Sequence, residues 1–137
     1  MSDCLFCQIA AGEVPAQVVY ESPGALAFLD AFPAARGHVL VIPRVHAESL
    51  LDLPDSSVGD LFLSVKATQA KVAQALRPLG MNVGWNHGRP CGQHVLHLHV
   101  HVLPRFADGG RGVQALGSGG DRSEMAALAA AIRSAQG

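Results

Sequence analysis

Residues 92–105 read GQHVLHLHVHVLPR, and this stretch decides the fold because it holds four of the seven histidines of the chain. Side chains alternate between the two faces of a strand, so a strand over 94–103 places His97, His99 and His101 on one face. The opposite face carries the aliphatic residues Leu96, Leu98, Val100 and Val102. The pattern therefore predicts a strand with an aliphatic face in the core and a row of imidazoles beside a cleft.

The row of three imidazoles needs a physical explanation, because each ring has a donor and an acceptor nitrogen that must be satisfied when buried. Charging all three rings together is also repulsive. The residues alone leave three interpretations open: a half-exposed strand whose polar face happens to be histidine, a three-histidine zinc site, or a catalytic row. Strict alternation over three positions favours chemistry or metal binding over a chance polar face.

The rest of the chain predicts short strands and two helices. Residues 22–24, Ser-Pro-Gly, are typical of a turn between two apolar runs and predict a hairpin. Apolar residues at helical spacing predict one long helix with a capping box at Ser57 and Asp60, and a second capping box is predicted at Asp121 and Glu124. The predicted elements are strands over 18–20, 25–29, 37–42 and 81–86, a helix over 55–76, a glycine-rich loop over 107–120 and a terminal helix over about 121–135.

Composition limits the classes of function. The 137 residues are 49% hydrophobic and 15% charged, which predicts one compact domain over 1–137. The formal net charge of -1 leaves no broad basic face for a phosphate backbone, so we expect no nucleic-acid partner. The N-terminal residues lack a basic leader with an apolar stretch, and no apolar run is long enough to span a bilayer. We therefore expect a cytoplasmic protein without a membrane partner.

The segment from His97 to Leu103, in which hydrophobic residues separate three histidines, resembles the motif that names the histidine triad (HIT) family. The resemblance covers roughly residues 4–106. It implies an α+β, HIT-like fold with an antiparallel sheet of about five strands, one long helix and one short helix, in agreement with the predicted strands. It also implies a homodimer, since family members usually pair two subunits into a continuous sheet. The further matching segments are Ala27–Asp30, Gly37–Arg44, Asn86, Gly92–Gln93 and Pro104–Arg105.

What the family resemblance implies is a nucleotidyl hydrolase that works by two displacements. The middle histidine, His99, attacks the α-phosphorus of an adenylated substrate, forms a covalent AMP-histidine intermediate and is released by water. Its other ring nitrogen is expected to donate to a backbone carbonyl, which fixes the tautomer. His101 is the expected general acid or phosphoryl-binding group. The implied substrates are adenosine phosphoramidate or aminoacyl adenylates, and no organic cofactor is expected.

The same resemblance implies a set of nucleotide-binding residues. Asp30 is expected against the ribose hydroxyls, His38 beside the triad and Asn86 near the phosphate. Gly92 permits close approach of backbone amides to phosphate, and Gln93 offers an uncharged side-chain donor. Without the resemblance, Asp30 is equally well explained as a turn residue and Asn86 as a loop cap.

Position 94 departs from the pattern of the phosphoramidase branch of the family, where a Ser or Thr often precedes the triad. His94 is bulkier and titratable, and it is expected at the nucleotide site. The segment also resembles the diadenosine polyphosphate hydrolase branch, so a dinucleotide hydrolase is the alternative enzyme. Two alternatives of other classes are a non-catalytic nucleotide-binding regulatory module and a metal-storage protein.

The pair Cys4-x-x-Cys7 has the spacing of half a tetrahedral zinc site. Spacing cannot identify the other two ligands. Many bacterial members of the family complete such a site with a histidine after the third strand and the first histidine of the triad, which here are His46 and His97. The resemblance therefore implies a structural zinc at these four residues, leaving His99 and His101 for chemistry.

Overall fold

A computed structural model describes residues 3–107 and 122–136. The predicted glycine-rich loop, beyond its first residue, and Asp121 of the second predicted capping box lie outside the described residues. The elements, in chain order, are α1 (Leu5–Ala10), β1 (Val18–Glu21), β2 (Ala25–Leu29), β3 (Val39–Pro43), α2 (Asp55–Leu76), β4 (Gly80–Gly84), β5 (Val100–Arg105) and α3 (Met125–Ser134).

The five strands form one antiparallel sheet in the order β1-β2-β3-β5-β4. The predicted hairpin is present: Ser22 accepts the backbone N–H of Ala25 through its hydroxyl, and β1 and β2 pair across this turn. The strand and helix content confirms the predicted α+β, HIT-like architecture. β5 lies inside the sheet, between β3 and β4, which places the triad segment near the centre of the molecule.

Two apolar clusters cover opposite faces of the sheet. The larger one joins alternate residues of the strands to α2 and α3, with Val41, Leu61, Val100 and Ile132 fully buried. The smaller one packs Phe6 of α1 on the other face, against residues of β2 and β3. Among the described residues, none of the helices combines the length and the apolar character needed to cross a membrane.

The histidine segment departs from the predicted strand, which begins at Val100 and not at residue 94. The reason lies in β3, because Pro43 has no N–H to donate and its carbonyl accepts from the His97 ring at 2.8 Å. The N–H of Leu98 instead donates to the carbonyl of Ala47 at 2.7 Å. Ladder pairing between β3 and β5 is therefore confined to the residues that follow His99.

The predicted capping box at the start of α2 is wrong. The helix begins at Asp55 with Pro54 at the cap position and no side-chain cap bond, so Ser57 and Asp60 lie inside the helix. The carboxylate of Asp60 accepts from the N–H of Gly24 at 2.7 Å and from the hydroxyl of Ser22 at 2.9 Å, which ties α2 to the β1–β2 turn. At the start of α3, Glu124 occupies the cap position without a side-chain cap bond, so the second predicted box is not formed through that residue.

Candidate active site

The four predicted metal ligands lie together where α1 meets the segment before β5. Nδ1 of His97 lies 3.3 Å from Sγ of Cys4 and 3.5 Å from Sγ of Cys7. Nδ1 of His46 lies 3.4 Å from Sγ of Cys7 and 3.3 Å from Nδ1 of His97. Because Nε2 of His97 donates to the carbonyl of Pro43, its Nδ1 carries a lone pair and faces the two sulfurs.

These separations fit a tetrahedral metal. Bonds of about 2.0–2.1 Å to nitrogen and about 2.3 Å to sulfur give tetrahedral edges of about 3.3 Å between nitrogens and about 3.5 Å between nitrogen and sulfur. The two nitrogens are 3.3 Å apart, and the three nitrogen–sulfur distances above are 3.3, 3.4 and 3.5 Å. Burial lowers the pKa of His97 to about 4, which keeps its ring in the neutral form that a ligand requires. The four residues therefore match a Cys₂His₂ metal site in donor type and geometry.

His99 presents a free nitrogen lone pair. Its Nδ1 donates to the carbonyl of His97 at 2.7 Å, which is the hydrogen bond expected from the sequence. Since the proton of the neutral ring is on Nδ1, Nε2 is unprotonated. Burial lowers the pKa of His99 from its ordinary value, so the neutral ring prevails at pH 7. The arrangement is that of a nitrogen nucleophile.

His101 presents the opposite group, an N–H. The backbone N–H of Ala34 donates to Nδ1 of His38 at 3.1 Å, so the proton of His38 is on Nε2. That proton is donated to Nδ1 of His101 at 2.9 Å, which leaves the proton of His101 on its own Nε2. Among the described residues this buried Nε2 has no hydrogen-bond partner. A backbone amide thus sets the tautomers of two rings and leaves one N–H available to a ligand.

The same chain of bonds argues against a second metal site. Ligand atoms of Asp30, His38 and His101 also lie within 4.8 Å of one another. However, Nδ1 of His38 already accepts from the backbone, and its Nε2 lone pair is lost to the proton it donates. Burial, with the neighbouring His101 and Arg105 as smaller causes, lowers the pKa of His38 to about 3. Burial likewise lowers the pKa of His101 to about 4, so both rings are neutral at pH 7.

An apolar cavity of about 230 Å³ opens beside His99. Its wall is formed by α1 on one side and by β2 with the following turn on the other, and Leu40 of β3 and the segment before β5 complete it. Its polar residues are Asp30, His94 and His99. The apolar residues that line it are Leu5, Phe6, Ile9, Phe28, Leu29, Ala31, Phe32, Leu40 and Val95. A flat apolar group with one polar edge fits such a cavity.

Asp30 lies in the wall of this cavity and is 8% exposed. One carboxylate oxygen accepts the N–H of Phe32 at 2.8 Å, so the residue is the turn former considered above as well as a cavity residue. Burial raises the pKa of Asp30 to about 6, and the bond from Phe32 opposes this shift. The other oxygen is 3.7 Å from Nδ1 of His38, which carries no proton, so the two do not form an ion pair at neutral pH.

The loop before the triad is braced by Gln93. Its side-chain oxygen accepts from the N–H of Gly88 at 2.8 Å, and its side-chain nitrogen donates to the carbonyl of Glu48 at 2.7 Å. The residue is buried, so it acts first as a loop brace rather than as the open donor that the sequence analysis expected. Gly92 has a φ of 104°, and a Cβ there would lie 3.6 Å from the amide nitrogen of Asn86. The structure therefore brings Asn86 and Gly92 together.

His94 is exposed and lies at the boundary between the apolar cavity and a more open polar groove. The groove is lined in part by Asp3, His46, Glu48 and Arg89. His94 therefore stands at the mouth of the site and not in its interior.

Sequence reasoning missed α1 and its contribution to the cavity. A six-residue helix gives too short a window for helical periodicity, and its N-cap is Cys4, whose sulfur accepts from the N–H of Cys7 at 3.3 Å. The available signal was the spacing of Phe6 and Ile9, which places two apolar side chains on one face of a helix beginning inside the Cys-x-x-Cys pair.

A family model described as the HIT domain matches residues 11–108 of the chain. The chain belongs to the HIT family. An uncharacterized HIT-like protein of Methanocaldococcus jannaschii is 42% identical over 111 residues, which cover 81% of this chain and 85% of the relative. A Schizosaccharomyces pombe relative named adenosine 5'-monophosphoramidase is 41% identical over 102 residues, 74% of each chain. The recognition of the family from the triad segment is thereby confirmed.

Among solved structures, a zinc-bound histidine triad family protein from Mycobacterium smegmatis matches this HIT protein with a TM-score of 0.75. The two sequences are 36% identical, and the match covers 95% of this chain and 93% of that one. The family model begins at residue 11 and so leaves out Cys4 and Cys7.

Proposed function

We propose that this HIT protein is a nucleotidyl hydrolase that cleaves adenylated substrates, of the adenosine phosphoramidate or aminoacyl adenylate type, through a covalent AMP-histidine intermediate. The observation that carries the proposal is the pair of opposite tautomers beside the apolar cavity. His99 offers an unprotonated Nε2, and His101 offers an N–H with no partner among the described residues. The two ring centroids are 5.1 Å apart.

In the first step, Nε2 of His99 attacks the α-phosphorus, a nitrogen–phosphorus bond forms and the bond to the leaving group breaks. The electron pair of that bond stays with the leaving group. Nε2–H of His101 donates a hydrogen bond to a phosphoryl oxygen, and the bond from Nε2 of His38 to Nδ1 of His101 keeps the ring in that tautomer, while the leaving amine takes its proton from solvent. In the second step, water attacks the phosphorus, the bond to His99 breaks, the proton of the water passes to solvent and AMP is released.

The nucleoside is proposed to occupy the apolar cavity. The nucleobase would lie in the cavity between α1 and the turn after β2, against a wall to which Phe6 and Phe28, packed edge-to-face with ring centroids 5.5 Å apart, both contribute. Asp30, at the polar edge, is suited to accept bonds from ribose hydroxyls. Asn86 and Gly92 are proposed near the phosphate, with Gln93 holding their loop and His94 at the side of the leaving group.

Zinc is proposed at Cys4, Cys7, His46 and His97. All four positions of a tetrahedron are then taken by protein ligands, so the metal supplies structural stability and not a water or substrate site. The cluster joins α1 to the segment before β5, because Cys4 and His97 are 93 residues apart in sequence.

A homodimer is proposed through the open edge of β4. Within residues 3–107 and 122–136 this strand pairs on one side only. Trp85, just after it, packs on Phe62 of α2 at 5.5 Å between ring centroids and is 38% exposed. An unpaired edge with exposed apolar residues favours pairing with a second copy. The other exposed apolar residues on β4 and its flanking elements are Leu63, Leu79 and Val83.

The deciding experiment measures steady-state hydrolysis of adenosine phosphoramidate and of diadenosine polyphosphate by the wild type and by His99→Ala. Intact-mass analysis of quenched reactions detects the adenylated protein. We expect wild-type turnover that is lost in the variant, and the ratio of the two substrates assigns the phosphoramidase or the dinucleotide branch. Turnover retained by His99→Ala would contradict the mechanism, and tight AMP binding without turnover of either substrate would favour a binding module.

A further inference from the structure

Phe6 connects the cavity to the proposed nucleophile. Its side chain lines the cavity, yet the residue is only 6% exposed, so most of its ring surface packs against protein. Its ring lies 5.1 Å from that of His99 at an interplanar angle of 86°, and 6.0 Å from that of His97 at 71°. These are edge-to-face contacts with two members of the triad.

The His99 ring needs such a contact, because its hydrogen bond to the protein constrains only part of its motion. The bond from Nδ1 to the carbonyl of His97 selects the tautomer and anchors one atom of the ring. Rotation about that anchor displaces Nε2, on the far side of the ring, more than Nδ1, and it is opposed by the two rings that pack on His99, those of Phe6 and His101. Attack on phosphorus requires Nε2 to be held in line with the leaving group, and a misplacement of about 1 Å can cost about 100-fold in rate.

Phe6 is flanked in the sequence by two residues that contact His97. It lies between Cys4 and Cys7, whose sulfurs are both within 3.5 Å of Nδ1 of His97. It also packs on Phe28 at 5.5 Å and an angle of 72°. The ring therefore has a fixed backbone and a fixed neighbour on β2, as a residue that restrains another ring requires.

We propose that Phe6 is a positioning residue for His99: it holds the imidazole in the orientation for in-line attack, in addition to forming a wall of the cavity. The proposal rests on the proposed function of His99 as nucleophile. The proposal predicts that loss of the Phe6 ring lowers the rate of the chemical step more than it weakens the binding of substrate.

The test compares Phe6→Leu with two controls. Leu26→Ala removes packing from the same small apolar cluster without touching the cavity, and Ile9→Ala removes a different part of the cavity wall. We expect Phe6→Leu to lower kcat about 10- to 100-fold with a dissociation constant for AMP raised less than about tenfold. Ile9→Ala should mainly raise KM, and Leu26→Ala should leave kcat within about twofold while lowering the melting temperature. Metal content is measured for each variant.

A second readout does not need activity. In protein labelled with carbon-13 histidine, exchange broadening of the His99 Cε1–H signal reports motion of the ring on the microsecond to millisecond timescale. We expect broadening in Phe6→Leu and a sharp signal in Leu26→Ala. If Phe6→Leu does not fold, Phe6→Met, which retains an apolar chain but no ring, replaces it with the same expectations.

An unchanged kcat in Phe6→Leu, or an equal loss of kcat in Leu26→Ala, would overturn the proposal. A sharp His99 signal in Phe6→Leu would do so as well. Absence of turnover in the wild type is a different outcome, since it contradicts the proposed function and leaves the ring-motion measurement to decide the role of Phe6.

Discussion

Acidification should destabilise this fold through the buried histidines, whose pKa values are lowered by burial, and the contribution of His38 follows from its own contacts. His38 is fully buried, and its Nδ1 already accepts a backbone N–H, so protonation in the folded state would break that bond. Its pKa is lowered from 6.5 to about 3 by burial, with His101, Arg105 and His99 adding repulsion. Between these two pH values the unfolded chain binds a proton that the folded chain does not.

The sign and the magnitude follow from this difference. Stability contributed by neutral His38 is fully present above pH 6.5 and falls with decreasing pH toward the folded pKa. The slope is about half of 1.4 kcal/mol per pH unit at pH 6.5 and approaches the full value at lower pH, so lowering the pH from 6.5 to 5 removes about 1.6 kcal/mol. Asp30 opposes the trend, because its pKa is raised to about 6 in the fold and protonation there stabilises the folded state.

The assay is urea unfolding of the wild type and of His38→Gln at half-unit steps from pH 7 to pH 5. His38 does not contact the four metal ligands, so the metal contributes equally to both proteins. The wild-type slope of unfolding free energy against pH should exceed the variant slope by about 1.4 kcal/mol per unit below pH 6. Equal slopes of unfolding free energy against pH in the two proteins would refute the assignment of His38 as a neutral ring that accepts the N–H of Ala34.

Three further results are expected. Removing zinc with a chelator should lower the melting temperature and raise the dissociation constant of AMP about tenfold or more, because α1 supplies one wall of the cavity; AMP affinity independent of metal, measured by calorimetry, would contradict this link. Leu61→Ala should cost about 2–5 kcal/mol in urea unfolding, since Leu61 is 0% exposed in the larger cluster, whereas the exposed Leu63→Ala should cost less than about 1 kcal/mol. Trp85→Lys should shift the protein from dimer to monomer in analytical ultracentrifugation, and an unchanged sedimentation coefficient would place the interface elsewhere.

Long periodic segments were predicted well from the sequence. The helix over 55–76 matches α2 at both ends, because its apolar spacing continues for six turns and Pro54 precedes it. The predicted first strand of the hairpin ends one residue before the observed β1, and the predicted second strand matches β2 at both ends. The Ser-Pro-Gly turn fixes where the first strand ends and where the second begins. The capping box predicted at Ser57 and Asp60 is wrong because α2 begins two residues before Ser57, and the carboxylate of Asp60 instead binds the β1–β2 turn.

The sequence predicted which residues form the site but not the hydrogen bonds that connect them. The alternation of histidines places His99 and His101 on one side, and the resemblance to the family supplied the metal ligands. The protonation of each ring depends on tertiary contacts that the local pattern does not contain, namely the N–H of Ala34 and the carbonyl of Pro43. For the same reason the sequence could not show that Gln93 is occupied as a loop brace.

The long sequence separation across the cysteine–histidine cluster also fixes an order of assembly. Cys4 leaves the ribosome early, whereas His97 follows 93 residues later and reaches its place only when β5 enters the sheet between β3 and β4. During synthesis the two thiols are therefore without their histidine partners, and closing so long a loop is slow relative to forming the β1–β2 hairpin. Binding of the proposed zinc by all four residues therefore requires β5 to be in place, and a chain interrupted before residue 97 has at most three of the four proposed ligands.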